Sequence, residues 1–184
     1  MEAVEYLKHW KPIDKDRLLR CAKHQRRFEA CTGYLSGNNF VDIGCAEGHS
    51  THHMKTFHPG SWTGVDFCKD TIGLAAKNFT DIDFKYIDKI ESLPKLGKFD
   101  GVICSEVIEH VENDGLLVEK LIEITNEVLV ITTPSRKVKS IGHLRLYDLP
   151  MLSTLFSKYS NVKIIKEHPF FYVIYEANRH ASKI

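Results

Sequence analysis

The stretch VDIGCAEGHST, residues 41–51, constrains the fold of this chain more than any other. A β-branched apolar run leads into a turn holding Gly44 and Gly48, and a helix-forming segment follows. Strand, glycine turn and helix, in that order, bring backbone N–H groups close to a bound nucleotide or nucleoside. A second apolar strand, WTGVDF at residues 62–67, ends in Asp66, 24 positions after Asp42. An acidic residue about 20 positions on, at the end of the next strand, is placed to accept hydrogen bonds from ribose hydroxyls. A third segment, FDGVICSEVIEHV at residues 99–111, runs from a strand directly into a cluster of Glu and His.

Around these segments the hydrophobic period switches regularly between two and 3.6. Residues 16–32 have helical spacing, with Leu19, Phe28 and Cys31 inward and Gly33 as the stop. Strands are predicted at 39–43, 62–66, 82–88, 101–105 and 128–132, with helices at 47–57, 69–79, 113–126 and 147–159. Alternating strands and helices imply βαβ units and a mostly parallel sheet with helices on both faces. The last two strands, 162–166 and 171–176, flank His168–Pro169 and read as an antiparallel pair. A nicotinamide-binding fold would continue in parallel instead.

With 184 residues, 43% of them hydrophobic and 27% charged, the chain suits one α/β domain with one core. We expect a helical segment over 1–35 and an α/β core over 36–184. A net charge of +1 gives no global call for nucleic acid or membrane. No apolar run approaches the roughly 20 residues needed to span a bilayer. The polar N-terminus lacks a signal-peptide core, so the expected location is cytoplasmic. Five cysteines without a CxxC pair fit reduced thiols better than a disulfide framework or a zinc site.

The three motifs, in this order and spacing, resemble the class I S-adenosylmethionine (SAM) dependent methyltransferases, from about Arg17 to the C-terminus. The resemblance implies a Rossmann-like seven-stranded sheet, with SAM across the carboxyl ends of the first strands. Gly44, Cys45, Ala46 and Gly48 would form the cofactor turn, although the family often has glycine where Ala46 stands. In the family the Asp42 position orients this loop and helps to bind the methionine portion. Asp66 would take the ribose, with Phe67 near the adenine. Ile87 and Asp88 would border the adenine, and Cys104, Ser105 and Glu106 would lie beneath the methionine moiety.

In EVIEHV, Glu106, Glu109 and His110 fall at i, i+3 and i+4, and would share one side if the segment turned helical. His110 is the best general base, because imidazole titrates near neutrality. The alternative is that this pair caps the next helix or supports the SAM loop. With His143 from the loop after the fifth strand, these residues form a candidate site for Mn²⁺, Zn²⁺ or Mg²⁺. The ExxEH arrangement with a later His resembles small-RNA 2′-O-methyltransferases. The EVIEHV segment also resembles the O-methyltransferases of ubiquinone biosynthesis. His49 and His53, at i and i+4 beside His52 and His58, read as solvated helix residues or a second chelating pair, with His49 near the SAM carboxylate.

Arg20, Lys23, His24 and Arg27 fall on one helix face, and Arg136, Lys137, Lys139 and Arg145 on one loop. In the family fold both segments lie near the methyl-transfer face, which predicts a small anionic acceptor or an RNA end. The alternative is two solvated charged faces. The expected activity is methyl transfer to oxygen. The rivals are a metal-assisted ribose 2′-O-methyltransferase acting on RNA, a non-catalytic SAM-binding partner subunit, and a nicotinamide-dependent dehydrogenase. The loop is too short to be a lid, so the site is either open to a large acceptor or completed by another subunit.

Overall fold

The computed structural model describes residues 21–137 and 142–177. Helix α1 (Ala22–Gly33) precedes β1 (Asn39–Ile43), α2 (His49–Phe57), β2 (Ser61–Asp66), α3 (Lys69–Asn78) and β3 (Asp83–Tyr86). After a 3₁₀ segment at Ile90–Leu96 come β4 (Phe99–Ser105) and a single 3₁₀ turn at Ile108–His110. The chain continues through α4 (Asp114–Glu123), β5 (Thr125–Pro134), α5 (Leu149–Leu155), β6 (Val162–Glu167) and β7 (Phe170–Glu176). Among the described residues no helix is long and apolar enough to cross a membrane.

The strands form one sheet in the order β3-β2-β1-β4-β5-β7-β6. Pairings from β3 through β5 are parallel, and β7 runs antiparallel to both β5 and β6. The winding direction therefore reverses between β1 and β4. In open α/β sheets the crevice at the carboxyl ends of such a pair is where ligands bind.

Side-chain alternation divides the core between the two faces. Val102, Cys104, Leu129 and Ile131 join one buried cluster with Leu117 and Leu121 of α4. Ile103 and Val130, one residue out of phase, join Phe28 of α1 and Met54 of α2 on the other. This period of two is what a central strand with both faces covered requires. Each fully buried large apolar side chain contributes about 1.5–3 kcal/mol, so the central strands form a rigid platform beneath the crevice.

Some boundaries differ from the sequence reading. Asn113 caps α4, its Oδ1 accepting from Leu116 N at 3.0 Å, and Asp148 caps α5, accepting from Met151 N at 2.8 Å. Both helices are shorter than their periodic patterns. β5 is longer than predicted, because the polar run Thr125–Asn126–Glu127 hides a strand start. Leu19 and Arg20 lie outside the described residues.

Candidate functional site

At the switch point the chain builds a cleft of about 480 Å³. Gly44 and Gly48 have φ of +82° and +80°, the left-handed region that favours glycine. A Cβ on Gly44 would collide with Val107 Cγ2, and one on Gly48 would lie 2.6 Å from the Phe84 ring. Ala46 adopts φ +47° in spite of its methyl group. Its N–H donates to Asp66 Oδ2 at 2.8 Å, while Asp66 Oδ1 accepts from Cys68 N at 2.8 Å. The Asp66 carboxylate thus ties the glycine turn to the end of β2. Burial raises its pKa against these hydrogen bonds.

Of the residues read as cofactor-binding, Gly44, Ala46, Asp66, Phe67, Asp88 and Glu106 line this cleft. Cys45, Ile87 and Cys104 are buried hydrophobic residues of the core. Ser105 Oγ hydrogen-bonds Thr132 Oγ1 at 2.8 Å. Asp42 is 2% exposed and sits behind the turn, accepting from Thr51 Oγ1 at 2.6 Å. Burial pushes its pKa up to about 6 against that bond, with the Asp66 charge adding to the rise. Thr71, Val111 and Leu116 also line the cleft. No sequence signal marks them, because they enter from loop and helix positions with no motif.

A second cavity, of about 300 Å³, opens on the other side of the β4 exit. Its walls include Lys23, Arg27, Glu109, Arg136, His143 and Phe170. Glu106 and His110 line both cavities. Glu106 stands at φ +61°, its N–H donating to Thr132 O at 2.9 Å. Its Oε2 lies 3.4 Å from Arg27 Nη1. Burial raises the Glu106 pKa, while the Arg27 charge opposes the rise.

The segment after β4 makes one 3₁₀ turn instead of an α-helix. No helical i, i+3, i+4 face forms, but Glu106 at the strand exit still lines the smaller cavity together with Glu109 and His110. Among the described residues, the group of potential metal-ligand atoms within 4.8 Å of one another is Glu109, His110 and His143, without Glu106. Glu109 is 1% exposed; its Oε2 accepts from Thr133 Oγ1 at 3.1 Å, while Oε1 is buried with no hydrogen-bond partner. Burial and then the neighbouring Glu106 charge raise its pKa well above the carboxylate range. The His110 and His143 rings meet edge to face at 4.7 Å. His110 Nδ1 lies 3.0 Å from Gly142 O. A carbonyl only accepts, so the proton sits on Nδ1 and Nε2 keeps its lone pair. Burial, then the His143 charge, lower the His110 pKa, and burial lowers that of His143.

The loop carrying His143 is strapped down. Leu144 N donates to Glu109 O at 2.8 Å, Arg145 Nη2 to Glu112 O at 2.8 Å, and Tyr147 Oη to Asp114 Oδ2 at 2.7 Å. Arg145 also pairs with Asp114. Arg145 is therefore committed to the protein, against its reading as part of an acceptor-binding loop. Lys23, His24, Arg27 and Arg136 do face the second cavity, whereas Lys137 is not among the lining residues and Lys139 lies outside the described residues. The second histidine group is packed among aromatics: His52 stacks on Phe79 at 4.5 Å and His53 meets Phe28 at 5.8 Å. Among the described residues it forms no metal-type cluster.

A doubly wound sheet with a glycine turn and an acidic strand end at its switch point defines a nucleoside-cofactor-binding α/β domain. A family model described as a methyltransferase domain matches residues 35–171, and the chain belongs to that family, the class I SAM-dependent methyltransferases. Ubiquinone biosynthesis O-methyltransferases are similar in sequence. That of Dechloromonas aromatica is 28% identical over 120 residues, covering 62% of this chain and 46% of the relative. That of Glaesserella parasuis is 28% identical over 120 residues, covering 59% and 50%. The chain thus spans about half the length of the curated relatives it matches. Among solved structures, a SAM-dependent methyltransferase from Archaeoglobus fulgidus superposes with a TM-score of 0.70 at 17% identity, covering 89% of this chain and 97% of that one. Magnesium protoporphyrin IX methyltransferase from Synechocystis with bound SAM gives 0.63 at 17% identity, covering 91% and 84%. At these identities the superpositions establish the fold.

Proposed function

We propose that this domain transfers the methyl group of SAM to an oxygen of a small anionic acceptor. The observation that carries the reading is the shared wall: Glu106 and His110 line both the switch-point cleft and the smaller basic cavity. A cofactor in one and an acceptor in the other would meet across these two side chains. SAM supplies an electrophilic methyl group on a sulfonium with a neutral leaving group.

The chain's own residues supply position and proton handling. Asp66 fixes the glycine turn and offers its carboxylate to ribose hydroxyls. Phe67, next in the cleft, suits the adenine. The acceptor must be held in line with the methyl group at about 3–3.5 Å, which the walls at Arg27, Arg136 and Phe170 serve. His110 Nε2 is the base for the acceptor's hydroxyl proton. The Gly142 carbonyl fixes its tautomer, and burial lowers its pKa.

Glu109, His110 and His143 also suit a divalent ion such as Mn²⁺, Zn²⁺ or Mg²⁺. The unpartnered Glu109 Oε1 and the Nδ1–H to carbonyl bond of His110 are what metal ligands and their supports look like. When bound, such an ion would lower the pKa of an acceptor hydroxyl. The Nε2 lone pair serves as base or as ligand, and one experiment separates the two. Tritiated methyl transfer from SAM to a panel of small hydroxy acids is measured after chelation and after Mn²⁺ is restored. We expect labelled O-methyl product, and a loss of at least about 100-fold in His110→Ala with the affinity for S-adenosylhomocysteine (SAH) retained. Dependence on Mn²⁺ assigns His110 as a ligand, and independence assigns it as the base. His110→Ala transferring at the wild-type rate would refute the reading.

A further inference from the structure

Arg27 is 5% exposed, and its guanidinium carbon lies 4.8 Å from the Phe170 ring centroid and 5.1 Å from that of Phe28. Its Nε and Nη1 are buried and make no hydrogen bond. The charge of Glu106 is near, but at 3.4 Å the contact is longer than the 2.7–2.9 Å of a charge-assisted hydrogen bond. A buried charge with unmet donors is costly unless something completes it. The two aromatic rings and the Glu106 charge hold the guanidinium in place, but they leave these two donors unmet.

The surroundings specify what would complete it. Arg27 lines the smaller cavity, where Lys23 and Arg136 add positive charge against the Glu106 and Glu109 carboxyls and Phe170 gives a flat apolar wall. A guanidinium presents parallel N–H groups that match the two oxygens of a planar carboxylate. The cavity, about 300 Å³, is at the small end of the range for ligand sites. Glu106 touches Arg27 and also lines the cofactor cleft. An acid group seated on Arg27 is therefore close to the point of methyl transfer.

We infer that Arg27 is the receptor for the acidic group of the acceptor, which is a small hydroxy acid whose carboxylate lies within a few bonds of the oxygen that is methylated. This rests on the methyl-transfer reading for the reaction but not for the binding. Neither the cofactor motifs nor the relatives' names point to Arg27. In the sequence it is one cation among several on its helix; its burial and its place at the shared wall single it out.

The test uses benzoate and its uncharged counterpart methyl benzoate as probes, titrated by calorimetry into the protein with and without saturating SAH. Wild type should bind benzoate at least tenfold more tightly than the ester. Arg27→Met should bring benzoate down to the level of the ester while leaving SAH affinity within twofold. Arg27→Lys, which keeps the charge but not the fork and so guards against a folding defect, should fall between them. Equal binding of acid and ester to wild type, or undiminished benzoate binding in both variants, overturns the inference. Inorganic phosphate is the third probe: displacement of benzoate by an equal concentration of phosphate would assign a phosphate-bearing acceptor and overturn the carboxylate. Discrimination between acid and ester without SAH binding would sink the methyl-transfer reading and leave Arg27 as an oxyanion site. SAH binding without discrimination would do the reverse.

Discussion

Replacing Gly44 by alanine tests the cofactor turn at its tightest point. Two separable costs are built in there. The backbone stands at φ +82°, where a Cβ costs about 1–2 kcal/mol. That Cβ would also run into Val107 Cγ2, and overpacking of this kind costs about 1–3 kcal/mol. The single variant should therefore lose roughly 2–5 kcal/mol in urea unfolding, read by the fluorescence of buried Trp62. Removing the obstacle separates the terms. In a Val107→Ala background the same glycine substitution should cost only the backbone part, about 1–2 kcal/mol, because the clash is gone. An equal cost in both backgrounds would refute the contact, and a cost near zero in either would refute the left-handed backbone. Gly44 lines the cleft, so both alanine variants should also weaken SAH binding.

Other outcomes follow from named groups. Burial raises the Asp42 pKa to about 6, above its unfolded value near 4. The stability this group contributes is present below about pH 4 and is lost as pH rises through 6. Asp42→Asn should therefore gain about 2 kcal/mol relative to wild type between pH 4.5 and 8, and a pH-independent difference would contradict the burial argument. Burial works to raise the Asp114 pKa, but the Tyr147 hydroxyl and the Arg145 guanidinium outweigh it and hold the carboxyl low. That contribution is present above the unfolded pKa and is lost as pH falls through the depressed one, so Asp114→Asn should flatten the acid limb of the stability curve and loosen the loop bearing His143. Proteolysis of that loop at the wild-type rate would contradict the strap. Saturating Mn²⁺ at about 100 times its dissociation constant should stabilise wild type by about 2.7 kcal/mol and leave His143→Ala unchanged; an equal shift in both would remove His143 from the ligand set.

How much of this was legible in the sequence depended on whether the signal was local. The limits of β1 agree with the reading from residues alone, because a β-branched run closed by a glycine turn carries its own boundaries. The mostly parallel sheet followed from alternating periods and the antiparallel β7 from the final strand pair, whereas the cofactor's place at the carboxyl ends came from the family resemblance. EVIEHV does not turn helical, because Glu106 takes a left-handed backbone and the chain then makes only one 3₁₀ turn before α4. That outcome is set by packing against Thr132 and Arg27, which come from other elements. Arg27 and Arg145 look alike in the sequence, as cations in basic runs. One is buried against Phe170 from the far end of the chain, and the other is tied to Asp114. The approach of His143 to His110 depends on Leu144 N reaching Glu109 O, a backbone bond that no side-chain pattern announces.

A crystal structure of the protein with SAH bound would show whether the two cavities meet at the methyl-transfer point. The nucleoside should lie in the larger cleft, its ribose on Asp66, and the sulfur turned toward Glu106 and His110 with the smaller cavity open beyond them. A sulfur turned away from these two side chains, or a nucleoside seated in the smaller cavity, would contradict that arrangement.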